Sequence, residues 1–116
     1  MSALAAAVAA AIALGANPAQ CDRDAANCES ATGRIIYVER VDPDGDGDAH
    51  LVLVGRDGIT APGLSVIDLE RSMRPDPLPG PGDLVTAAGP VYTGSYGQRQ
   101  IHATELRFAR ISGPGP

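Results

Sequence analysis

An all-β domain is the fold class that the sequence predicts, and three observations predict it. Short runs rich in Val, Ile and Leu recur from Arg34 onward at strand length, clusters of Gly, Pro and Asp separate them, and after residue 33 no stretch keeps a helical period. At 116 residues the chain has room for one domain. Its 44% hydrophobic content is enough for a packed core, and with only Phe108 and three tyrosines as aromatics that core must be filled by Val, Ile, Leu and Ala.

The first segment differs in kind from the rest. Ala3 to Ala16 is a fourteen-residue apolar run of Ala, Val, Ile and Leu broken by Gly15, with Asn17 and Pro18 after it. It resembles the apolar part of a secretory signal peptide, shorter than the roughly 20 residues that span a bilayer and followed by small residues suited to cleavage. Residues 1–19 are therefore expected to be a signal-peptide helix and the mature protein to be secreted or otherwise extracytoplasmic, with no stable membrane span after cleavage. No Lys or Arg precedes the run, and no lipobox precedes Cys21. The alternative is an Ala-rich N-terminal helix, buried or disordered. Residues 20–32 form a polar segment carrying Cys21 and Cys28, whose spacing does not match a C-x-x-C zinc site. In an oxidising compartment a disulfide between them is plausible, and by the chain-entropy model so small a loop adds only about 2 kcal/mol.

Strands and turns follow. Arg34 to Val41 reads as a first strand. His50 to Val54 reads as a second, joined to it as a hairpin through the Asp/Gly-rich segment Asp42 to Asp48. Arg56-Asp57-Gly58 is a turn, and a third strand lies within Leu64 to Glu70. Pro75, Pro77, Pro79 and Pro81, with Gly80 and Gly82, make Arg71 to Asp83 a loop, because proline removes backbone donors and clashes with a preceding helical turn. Leu84 to Ala88 is a fourth strand ended by Gly89-Pro90, Tyr92 to Gln98 a hairpin loop, and Gln100 to Ala109 a fifth strand. The domain spans 33–110, and 111–116 is expected to be a disordered tail.

Within this order, Gly33-Arg-Ile-Ile-Tyr-Val, Asp46-Gly-Asp-Ala-His-Leu-Val-Leu, Pro81-Gly-Asp-Leu-Val-Thr-Ala-Ala-Gly89 and Ile101-His-Ala-Thr-Glu-Leu resemble the first, second, fourth and fifth strands of OB-type domains of exported bacterial proteins. The resemblance covers Gly33 to Phe108. It implies a five-stranded, partly open Greek-key barrel, with the proline-rich loop standing where such domains carry a helix. Another small β-barrel or a sandwich is the alternative. The resemblance also implies a ligand groove across strands two and three, rimmed by the loops between strands one and two and between strands four and five.

Those rims hold the candidate residues. Asp42, Asp44, Asp46 and Asp48 place carboxylates at alternate positions and open like an EF-hand calcium loop, D-x-D-x-D-G. The twelfth position, however, is Leu53 instead of a bidentate Glu, so Ca2+ stands against a solvated hairpin turn. Asp48 would offer a backbone carbonyl, and His50 is read as a strand residue. On the other rim, Tyr92, Tyr96 and Arg99 put aromatic faces beside hydrogen-bonding groups, and Tyr37, Arg40 and His102 extend the same surface if their strands turn them outward. The plain alternative is a turn with its tyrosines packed over the barrel end.

Nine basic residues, all Arg, against fourteen acidic ones give a net charge of −5, which repels phosphate backbones and anionic lipid. With two histidines and no G-x-S-x-G, H-E-x-x-H or phosphate-cradling Gly-Lys loop, catalysis is not expected. The expectation is a non-catalytic OB-like binding module for an oligosaccharide, a peptide or, against its charge, a nucleic acid. The alternatives are a calcium-stabilised extracellular structural domain and, last, a small hydrolase.

Overall fold

The computed structural model describes residues 18–39, 47–94 and 96–111. Residues 1–17 of the expected signal-peptide helix, Arg40, Asp42, Asp44, Asp46 and the tail beyond 111 lie outside those residues, and residues 18 and 19, which that expectation included, are not helical. The described chain is all-β, with strands β1 (Cys28–Glu39), β2 (Ala49–Val54), β3 (Leu64–Leu69), β4 (Leu84–Thr93), β5 (Arg99–His102) and β6 (Glu105–Ala109), and one 3-10 turn at Arg71–Met73. Among the described residues no helix is long and apolar enough to cross a membrane.

Five strands close into a ring in the order β1-β2-β3-β5-β4 and back to β1, with β6 on the free side of β4. The β3–β5 pair is parallel and the other pairs are antiparallel. Strand alternation turns Ala49, Leu51 and Leu53 of β2 and Ile67 and Leu69 of β3 inward, where they meet Ile35, Ala31, Val85, Ala87 and Ile101. Aliphatic side chains and alanines thus fill the interior, as the scarcity of aromatics requires.

Closure depends on β1 changing partner along its length. Cys28 to Arg34 pairs with β4, and Arg34 to Glu39 pairs with β2. Gly33 sits at the crossing, where a Cβ would overlap the backbone carbonyl of Val54. β1 therefore begins at Cys28, well before Arg34, because its first half lies on β4, a partner distant in sequence.

The last strands also differ from expectation. Gly89-Pro90 does not end β4, which runs on to Thr93. It marks the point where β4 exchanges β6, paired with Leu84 to Ala88, for β5, paired with Val91 to Thr93. Pro90 has no N–H to give, and at the exchange none is needed on that side. The expected fifth strand, Gln100 to Ala109, is split opposite this kink into β5 and β6 by Ala103-Thr104, and Thr104 N–H donates to the Ala88 carbonyl at 2.8 Å.

The Arg71 to Asp83 loop closes one end of the ring, placing Leu78 in the core cluster. Asp83 anchors it, since its carboxylate accepts from Gly80 N–H at 2.8 Å and from Ile111 N–H at 2.9 Å. At the start of the described chain Ala19 is buried and its N–H donates to the Thr86 hydroxyl at 2.8 Å, so the folded part reaches one residue before the expected boundary at Gln20.

Cys21 and Cys28 are joined in a disulfide. The bridge ties the Pro18–Asn27 segment to the first residue of β1, and neither cysteine belongs to the core cluster. Reduction is expected to cost about 2 kcal/mol. A melt with and without reductant checks this: the midpoint should drop by several degrees with the transition still cooperative, and a loss of cooperativity would make the bridge part of the core.

Candidate functional site

The outer face of the ring gathers the polar side chains that sequence order keeps apart. Register places Glu39 opposite His50, His50 opposite Asp68 and Asp68 opposite His102, so one row of side chains crosses β1, β2, β3 and β5. Beside it runs a second row, in which Tyr37 pairs with Val52, Val52 with Val66, Val66 with Gln100 and Gln100 with Tyr92. Tyr37 stands in this row because β1 bulges: Ile36 and Tyr37 together face Val52, which leaves both side chains half exposed on the outside.

The first row is a continuous polar network. His50 Nδ1 is 3.2 Å from Glu39 Oε1 and its Nε2 is 3.1 Å from Asp68 Oδ1. His102 Nδ1 is 3.0 Å from Asp68 Oδ2, and its Nε2 is 3.7 Å from Glu70 Oε2. With carboxylates at both ring nitrogens, His50 is placed as an imidazolium, the form in which both nitrogens donate. Its contact with Asp68 is the largest influence, opposed by burial and helped by Glu39, and together they raise its pKa from 6.5 to about 9. Burial pushes Asp68 up, but the imidazoles of His50 and His102 outweigh it and hold the carboxyl below its ordinary 3.8.

The sequence-predicted residues fall into three places. His102 is in the polar row, and the Tyr92 ring meets its imidazole edge-on at 6.2 Å between centroids. Tyr37 closes the far end of the second row, four strands from Tyr92, which is roughly 19 Å along the curve at ordinary strand spacing. Tyr96 stands 86% exposed at the tip of the β4–β5 turn, clear of the face. Tyr96 is thus not packed over the ring's end. Arg99 lines a shallow groove of about 280 Å³ with Asn27, Glu29, Val91, Tyr92 and Thr93.

The expected acidic rim is reached only at its C-terminal end. Asp48 stands beside Asp68, at the edge of the polar row. Leu53, at the twelfth loop position, is buried in the core and has no oxygen to offer. Arg74 Nη1 donates to the Gly47 carbonyl at 2.9 Å, and the Arg71 guanidinium lies against Gly47 as well, so two arginines bring positive charge to the end of the Asp-rich run. Among the described residues, no group of three His, Cys, Asp or Glu side chains is arranged to hold a metal ion.

Sequence reasoning missed Glu39, His50, Asp68 and Glu70 as members of one site. The only signal was that His50 and Asp68 occupy outward positions of adjacent strands, whose pairing register the sequence leaves open. Comparison with known proteins finds no family model and no curated protein that matches the chain.

Proposed function

We propose that the chain is a non-catalytic binding module of the cell exterior, built on an OB-like ring, which holds an extended, uncharged, hydroxyl-rich chain such as an oligosaccharide across its outer face. The observation that carries this is the pair of parallel rows: aliphatic Val52 and Val66 as a floor, Tyr37 and Tyr92 at its two ends, and a hydrogen-bonding flank from Glu39 to His102. Half-exposed tyrosines offer flat apolar faces to sugar rings, and the carboxylates and imidazoles offer acceptors and donors to hydroxyls. The OB-like reading is supported by the ring order and by the parallel β3–β5 pair, and the external location by the Cys21–Cys28 disulfide.

Charge chooses among ligands. Glu39, Asp48, Asp68 and Glu70 bound the face, and the chain's net charge is −5, so a phosphate backbone would meet repulsion. The calcium reading of the Asp42 to Asp48 loop gains no support from Leu53 or from Arg71 and Arg74.

The test uses the tyrosines, since the chain has no tryptophan. The full chain is titrated with a soluble mixed-linkage β-glucan, a soluble mannan and a single-stranded oligo-dT while tyrosine emission is followed. Saturable binding of a neutral glycan is expected, weakened roughly tenfold in Tyr37→Ala and in Tyr92→Ala with little change in melting midpoint. Tight, salt-dependent binding of oligo-dT, or glycan binding indifferent to both tyrosines, would overturn the proposal.

A further inference from the structure

We propose a second site: the open end of the ring, at Glu29, Val91, Thr93 and Arg99, binds a small zwitterion, its carboxylate on Arg99 and its ammonium on Glu29. It does not depend on the outer-face reading.

The argument begins with strand alternation. Val91 packs against the core, Thr93 follows two residues later on the same side, and Arg99 is the register partner of Thr93, as the fully buried Ile101 is of Val91. These positions share the inward face of β4 and β5, continued past the last layer of core side chains. Glu29 reaches the same opening from β1, opposite Gly89. Together with Asn27 and Tyr92 they enclose the groove of about 280 Å³ described above, at the mouth of the ring. Mouths of closed sheets are recurrent ligand sites, and this volume lies just below the roughly 300–1,000 Å³ of pockets for larger organic ligands. It suits an amino acid or a dipeptide.

The chemistry of the lining selects a ligand with two charges. Among the described residues, neither the Glu29 carboxylate nor the Arg99 guanidinium has an ion-pair or hydrogen-bond partner, and the two are not bonded to each other. Opposite charges that face one groove without meeting are satisfied together by a molecule carrying both signs. A guanidinium presents a planar fork that takes a carboxylate through two parallel bonds, and a carboxylate accepts from an ammonium. Val91 supplies apolar contact for the carbon skeleton between. The Cys21–Cys28 bridge steadies this wall, because the Asn27 carbonyl next to it accepts from Val91 N–H at 2.9 Å.

The probe is L-alanyl-L-alanine, added to the nitrogen-15-labelled full chain and followed by amide shifts, with N-acetyl-alanyl-alanine and alanyl-alanine amide as ligands keeping one charge each. Saturable shifts are expected at Val91, Thr93 and Arg99, with each capped ligand bound roughly tenfold more weakly. Glu29→Gln should bring the dipeptide down to the affinity of the acetylated form, and Arg99→Gln to that of the amide. Tyr37→Ala should leave dipeptide binding unchanged, which separates this site from the outer face. No saturable shift at millimolar dipeptide overturns the proposal, and so does equal binding of the capped ligands. Should a variant lose its cooperative melt, the capped ligands on the unaltered chain still decide.

Discussion

Raising the pH from 6.5 to about 9 is expected to lower the melting midpoint steadily, and Asp68→Asn is expected to abolish most of that slope. His50 titrates near 6.5 in an unfolded chain and at about 9 in the fold. A group whose folded pKa is raised stabilises fully below its unfolded value, and that stability is lost as pH rises through the folded value. The shift sets an upper bound of roughly 3 kcal/mol, and screening at a side chain about a quarter exposed brings the expected figure nearer 2 kcal/mol. Asp68 has the opposite sign. Its lowered pKa contributes stability present above about 3.8 and lost as pH falls through the folded value. These are two views of one interaction and are not added. Glu39, Asp48, His102 and Glu70 face the same pair, and their charges belong to the profile. Denaturant melts between pH 3 and pH 10 should trace a broad maximum in wild type. A flat profile through pH 9 in wild type would show that His50 is not held by Asp68.

The second large effect concerns the kink in β4. Gly89→Ala is expected to cost at least about 3 kcal/mol and to lower the midpoint by more than about 10 °C. A Cβ on residue 89 would overlap the main-chain carbonyl of His102, with the Thr104 nitrogen 3.0 Å away. Backbone cannot step aside by changing rotamer, so relief requires moving β5, and β5 closes the ring. Gly80→Ala is the control: nothing lies within 4 Å of a Cβ there. Its effect should stay within about 0.5 kcal/mol. Equal effects at the two positions would remove the kink from the account of the fold.

The same two features mark what the sequence could and could not convey. β2 and β3 are legible nearly to the residue because their signal is local: alternating aliphatic positions between turn residues at Gly55 and Gly63. Gly89-Pro90 is locally a stop. It becomes a passage only because β4 finds a new neighbour there, which is a fact about residues six to ten positions away, across the turn. The bulge at Ile36 is equally silent, since an aliphatic residue gives no sign of being the extra one. Of the site, Tyr37, Tyr92, Arg99 and His102 could be nominated from side-chain chemistry and loop position. The polar row could not. His50, Asp68 and His102 are 18 and 34 residues apart in successive steps, and only the register of three strands sets them side by side.

The ring is completed by its shortest strand, the four residues of β5, which come near the end of the chain. Until they are in place, β3 keeps a bare edge of unpaired backbone groups, the first row of the outer face lacks its last member, His102, and the second is cut between Val66 and Tyr92. A chain cut after Gln98 would therefore not be a weaker binder with most of its face intact. It would be an open sheet seeking a strand from a neighbouring molecule.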